Sequence, residues 1–281
     1  MDHFEAGELV FDLTDAGPSD GEVVVLLHGF PQSKTCWDRV VPLLVDAGYR
    51  VLAPDHRGYS PGARPRGRRA YRLDLLAADV VALADAAGAA KVHLVGHDLG
   101  ALVAWCVAAW HPERLWSVTA LAVPPGRAFL RSLVSSTQPL RSWYILFFQL
   151  PRLPELGLGG FAQPLLRRIL RRSGLSDGYI DRYLALLTQP GAATGSLNWY
   201  RAFPLCPPTR RAPVTVPVLY VYATGDAFLA RKGADLTADE VTGPYRYEIL
   251  EGVSHWIPEE VPKVVASLVI EHARTHGTQR T

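Results

Sequence analysis

An aspartate stands at the centre of Gly96-His97-Asp98-Leu99-Gly100. The apolar run Lys91-Val92-His93-Leu94-Val95 before it reads as a strand, and the run from Ala101 to Val107 after it reads as a helix. Strand, sharp turn and helix around G-x-nucleophile-x-G form an elbow that lifts the central side chain clear of the sheet. A carboxylate with a reference pKa of about 3.9 is already ionised at neutral pH. It is a weak nucleophile, suited to displacement at a strained or activated sp³ carbon with an alkyl ester left on the enzyme. That chemistry points to epoxides or alkyl halides rather than ordinary esters. Five residues alone leave a second reading open, because an Asp after a strand is commonly a helix N-cap.

Three further features decide between them. His28-Gly29-Phe30-Pro31-Gln32 follows a buried strand run, and the glycine allows a tight turn there. The Phe30 N–H can then face the elbow and, with the Leu99 N–H, form an oxyanion hole. Asp226 follows the strand run ending at Tyr222, and His255 follows Tyr247-Glu248-Ile249-Leu250. Asp98, Asp226 and His255 occur in the order nucleophile, acid, base, each just past the carboxyl end of a strand. With Asp98 as nucleophile, ring opening needs no base. Hydrolysis of the ester does: His255 would deprotonate water and Asp226 would orient the imidazole and stabilise its cation.

The elements that must position these residues alternate regularly. Strand runs at 23–27, 49–53, 91–95 and 118–122 are separated by helical patterns at 37–47, 73–87 and 101–110. Buried strands alternating with helices argue a mostly parallel central sheet flanked by helices. With the elbow, this is the α/β-hydrolase fold. The rhythm breaks at Pro124-Pro125-Gly126 and resumes at Val216, with a last helix over 259–276. The organisation expected is therefore a core in two parts, 1–124 and 213–281, with an inserted helical cap, 125–212, over the carboxyl edge where open sheets bind ligands.

The 281 residues, 48% apolar and 20% charged with net charge +2, give no sign of a nucleic-acid partner. Cys36, Cys106 and Cys206 are scattered, which fits a reducing, cytoplasmic setting. No signal peptide and no membrane-spanning run is read, and the oligomeric state is not legible. His93 and His97 on one strand do not converge on a metal, so no metal and no cofactor is expected. Asp55 and Arg57 are expected to brace the loop bearing His28. Arg64, Arg66, Arg68 and Arg69 read as a solvated loop. Arg167, Arg168, Arg171 and Arg172, alternating with Leu165, Leu166, Ile169 and Leu170, read as an amphipathic cap helix with a wet face rather than a membrane contact.

Over nearly its whole length the chain resembles the α/β-hydrolase-fold epoxide hydrolases. The resemblance rests on His28-Gly29-Phe30-Pro31, Asp55-His56-Arg57-Gly58-Tyr59-Ser60, Gly96-His97-Asp98-Leu99-Gly100-Ala101 and His255-Trp256. It extends to Ser142-Trp143-Tyr144-Ile145-Leu146-Phe147-Phe148-Gln149 and Leu197-Asn198-Trp199-Tyr200-Arg201. It implies that Tyr144 and Tyr200 hold and protonate the epoxide oxygen. An alkoxide is a poor leaving group, and a phenol of pKa about 10 can supply its proton. Pro31, Phe148, Trp199 and Trp256 are the candidate substrate-binding residues, for a small, mostly apolar epoxide. The rival is a hydrolytic haloalkane or haloacid dehalogenase. Haloalkane dehalogenases usually carry Trp after the nucleophile and fluoroacetate dehalogenases Arg, where this chain has Leu99. A non-catalytic binding protein on the same fold would have no need of Asp226 and His255 in register.

Overall fold

The computed structural model describes residues 1–160, 162–206 and 213–278. The strands are β1 (His3–Ala6), β2 (Leu9–Ala16), β3 (Val23–Leu27), β4 (Arg50–Pro54), β5 (Val92–His97), β6 (Leu115–Leu121), β7 (Val218–Ala223) and β8 (Tyr245–Leu250). They form one sheet in the order β1-β2-β4-β3-β5-β6-β7-β8. From β4 to β8 every pairing is parallel, and β2 joins β4 antiparallel. β3, β5 and β7 are buried along their whole length, as strands covered on both faces must be.

Before the insertion the helices are α1 (Val41–Asp46), α2 (Leu73–Ala86) and α3 (Leu99–Trp110). Between β6 and β7 come α4 (Gly126–Ser135), α5 (Gln138–Arg141), α6 (Trp143–Phe148), α7 (Leu153–Gly159), α8 (Gln163–Arg172), α9 (Asp177–Leu187) and α10 (Ala192–Ala202). After β7 follow α11 (Arg231–Asp235), α12 (Ile257–Glu260) and α13 (Pro262–His276). The expected far boundary of the insertion, Ala212, lies outside the described residues.

The structure departs from the sequence expectations in four places. The helix read at 37–47 is a 3₁₀ turn over Lys34–Trp37 followed by the short α1, because Pro42 stands in the first turn and starts a new helix. The helix read at 259–276 is likewise split, with Pro262 opening α13. The hairpin β1–β2 was not read at all, although Phe11 and Leu13 alternate inward. Arg64 is also half-buried rather than solvated: its guanidinium donates to Tyr59 O, Pro190 O and Gln189 Oε1, tying its loop to the insertion.

The insertion meets the core along a seam without clearance. Gly58 and Gly195 lie back to back, and a Cβ on either would come within 2.7 Å of the other's backbone. Trp199 donates its indole N–H to Arg57 O at 2.7 Å beside this contact. Arg141 on α5 donates to Asp226 O and Leu229 O across the other side.

Candidate active site

β3 and β5 are neighbours in parallel register, Leu27 opposite Gly96, so the loops leaving their carboxyl ends emerge together. Residue 98 sits on its turn at φ 52°, ψ −121°, a conformation that L-residues seldom hold. Main-chain contacts enforce it. The residue-98 N–H donates to Leu121 O, and its carbonyl accepts from Ala101 and Leu102 N–H. A Cβ on Gly96 would strike Gly100 O, and one on Gly100 would strike Leu27 O. Gly29 faces Asp98 so closely that a Cβ there would overlap its carboxylate. Both glycines of the motif, and the one after His28, are therefore required by contact.

The Asp98 carboxylate has a partner on each oxygen. Phe30 N–H donates to Oδ1 at 2.9 Å, and His255 Nε2 lies 3.5 Å from Oδ2. Burial raises the Asp98 pKa, but the His255 imidazole and the Phe30 N–H outweigh it and the net direction is down. Leu99, the other expected hole residue, opens α3, where first-turn amide groups have no carbonyl partner within the helix. His255 Nδ1 lies 2.7 Å from Asp226 Oδ2, while Asp226 Oδ1 accepts from Phe228 and Leu229 N–H. Burial pulls the His255 imidazole down. The carboxylates of Asp226 and Asp98 on its two nitrogens override this and push it up to about 10. The structure thus brings Asp98, Asp226, His255 and Phe30 into one continuous array.

Over this floor stand aromatic rings. Tyr144 and Tyr200 meet edge-to-face at 6.2 Å between centroids. Phe148 meets Phe30, Tyr144 and Tyr200 at 5.5, 5.5 and 5.1 Å. Both phenols are pushed well above their ordinary pKa, chiefly by burial and further by the Asp98 charge. Among the described residues no protein group hydrogen-bonds to either phenolic oxygen. Pro31 is buried and follows a cis Phe30–Pro31 bond.

Two expected substrate contacts lie behind this layer. The Trp199 indole packs on His56 and Tyr59 as well as holding Arg57 O. Trp256 stands edge-on to His255 and donates to Ser173 Oγ at 3.0 Å. Phe228, which no sequence pattern marks, joins the aromatic layer: it meets both Tyr144 and His255 edge-to-face.

A buried polar network under the site was also missed. Gln32 Oε1 accepts from Gly29 N–H at 2.8 Å and lies 2.9 Å from His97 Nδ1. Gln32 Nε2 donates to Glu259 Oε1, which also accepts from the Tyr183 hydroxyl of α9. His97 Nε2 lies 2.8 Å from His255 O. His28 Nδ1 bonds Gly29 O, and its Nε2 accepts from His56 N–H. Burial depresses the His28 pKa to about 4, so the ring is neutral, one nitrogen a donor and the other an acceptor. Asp55 braces this loop as expected, accepting from Lys34 N–H at 2.7 Å. Arg57 does not: it turns to a two-pronged ion pair with Asp79 on α2. Among the described residues no group of three or more His, Cys, Asp or Glu could hold a metal ion.

Residues 22–262 match the α/β hydrolase fold family. The chain is 36% identical to epoxide hydrolase A of Mycobacterium tuberculosis, with 92% of each chain covered. It is 37% identical to the AB hydrolase superfamily protein YfhM of Bacillus subtilis, again with 92% of each covered. Among solved structures it is similar to epoxide hydrolase A from Mycobacterium thermoresistibile, with a TM-score of 0.87, 31% identity and coverage of 99% of this chain and 98% of that one.

Proposed function

The chain belongs to the α/β-hydrolase fold family and, within it, to the epoxide hydrolases, and we propose that Asp98 opens the oxirane as nucleophile and that the product is a vicinal diol. The observation that carries this reading is a paired, ionised carboxylate facing two buried phenols whose oxygens no described protein group engages.

In the first step Asp98 Oδ2 attacks a ring carbon, since Oδ1 is held by Phe30 N–H. The carbon–oxygen bond breaks, and Tyr144 and Tyr200 hold the departing oxygen and give it a proton. Forming the ester removes the charge of Asp98. His255 then faces one carboxylate instead of two, its pKa falls, and it can release its proton to restore the phenol and act as base. In the second step water, deprotonated by His255, attacks the Asp98 carboxyl carbon. The Phe30 and Leu99 N–H groups stabilise the oxyanion, and Asp226 holds the imidazole cation. The adduct then collapses: the bond from the Asp98 carboxyl carbon to the alkyl oxygen breaks, that oxygen takes the remaining proton of the added water and leaves as the diol, and the Asp98 carboxylate and protonated His255 are restored.

Residues 125–212 act in this reading as a cap that brings the phenols over the floor. Phe30, Phe148 and Phe228 make the pocket wall, so the substrate is a mostly apolar epoxide. Cys36, Cys106 and Cys206 are all free thiols, in keeping with a reducing, cytoplasmic setting. The deciding experiment compares diol formation from aryl and alkyl epoxides with halide release from haloalkanes and fluoroacetate. Diol without halide is expected; halide release as the faster reaction overturns the reading.

A further inference from the structure

The inserted helices carry an unusual outer surface. Of thirteen large hydrophobic residues exposed among the described residues, ten lie between Leu130 and Ile169. Charge is equally uneven: residues 126–206 hold ten arginines against three acids, in a chain of net charge +2. Helix α8 shows both features on one face. Its row Leu170 is buried and Leu166 half-buried, as expected of an amphipathic helix. Yet Leu165 and Ile169 are 59% and 39% exposed, on the same side as exposed Arg168 and Arg172. Arg167 and Arg171 are neutralised by Asp177 and Asp181 of α9, whereas Arg168 and Arg172 make no ion pair among the described residues. Helix α6 (Trp143–Phe148) repeats the apolar half of the arrangement, without arginine. Tyr144 and Phe148 face the floor, while Trp143 and Leu146 are 59% and 75% exposed.

We propose that this face docks the enzyme on the surface of a bilayer rich in anionic lipid, with the leucine, isoleucine and tryptophan side chains entering the headgroup boundary and the unpaired arginines meeting phosphate. Apolar side chains interleaved with arginine suit that boundary, whereas water alone penalises so many exposed apolar side chains on one inserted unit. A nucleic acid would satisfy the arginines and leave the leucines uncovered. A second copy would cover the leucines but bring two arginine-rich faces together. The consequence, which rests on the proposed function, is that an apolar epoxide dissolved in lipid reaches the enzyme on the side carrying Tyr144.

The test is flotation of the intact protein with vesicles of phosphatidylcholine alone and of phosphatidylcholine with phosphatidylglycerol. Binding is expected only to the anionic vesicles, and weaker as salt rises. Arg168→Glu with Arg172→Glu should lower it about tenfold or more. Leu165→Ser with Ile169→Ser should lower it at any salt. Both pairs should keep wild-type turnover of a water-soluble epoxide, which shows that they fold. Equal binding to both vesicles, no binding to either, or a dimer in sedimentation that the serine pair dissolves each overturns the proposal. Absence of turnover in wild type, with vesicle binding intact, would strike the proposed function and leave this surface standing.

Discussion

The floor of the site and its roof are held by different forces. On the floor the charged groups are locked by short polar contacts: Asp98 by Phe30 N–H and His255, and Asp226 by two amides and His255. The roof is an edge-to-face stack of Tyr144, Phe148, Tyr200 and Phe228, joined by ring contacts of 5 to 6 Å and leaving its hydroxyls unengaged. Polar locks give one geometry, whereas aromatic contacts of about 1 kcal/mol each tolerate small shifts. Under the proposed mechanism, the floor is held for one reaction, and the roof can adjust to ligands of more than one shape.

Changes on the floor should therefore be all-or-none. Asp98→Asn should abolish turnover in freshly prepared protein while leaving circular dichroism unchanged, because an amide cannot open the ring. Full activity in the fresh variant would remove Asp98 from the role. His255→Gln should spare the first step and stop the second. The alkyl-enzyme should then accumulate, seen in intact-protein mass spectrometry as an increase equal to the substrate mass. Wild-type diol production by this variant would show that another group is the base.

Changes on the roof should be graded. Tyr144→Phe and Tyr200→Phe should each slow ester formation by roughly 10²–10³, the usual loss for one donor of a preorganised pair. The double variant should be nearly inactive at that step in rapid-quench measurement. Wild-type alkylation by the double variant would erase the distinction between the regions and remove the phenols from the mechanism.

The smallest effect is on stability. Burial pushes the Asp55 carboxyl from 3.8 up to about 6, so the folded state binds its proton more tightly than the unfolded chain. That contribution is present below about pH 4 and is lost as pH rises through 6, by at most about 3 kcal/mol. Asp55→Asn keeps the acceptor for Lys34 N–H. Its melting temperature should gain on wild type across that window. A parallel pair of pH profiles would count against the shift.

The floor was more legible in the sequence than the roof for a physical reason. Asp98, Asp226, His255 and Phe30 each follow a strand, and parallel strands deliver their carboxyl ends to one edge whatever the surroundings. Tyr144 and Tyr200 entered only through likeness to a family, since helical aromatics carry no sign of which way they face. Trp199 illustrates the difficulty: one residue from Tyr200, it points to Arg57 O instead of the pocket. Phe228 was missed because its place depends on the turn that Asp226 caps. The link from Gln32 to Glu259 spans 227 positions, and no local pattern announces it.

The elbow has a consequence for descent. Residue 98 is fixed by main-chain bonds to Leu121, Ala101 and Leu102 and by glycines at 96 and 100 packed on backbone, none of which depends on the side chain it bears, while Gly29 leaves room for that side chain. Replacement at 29, 96 or 100 is closed to a lineage, because even a methyl group collides. Replacement at 98 and 99 is open, and there it changes the proposed nucleophile and its immediate neighbour without moving the frame. Within the elbow, the route by which such a chain can acquire a new reaction therefore narrows to two adjacent positions, and the same contacts that close the glycine positions keep that route available.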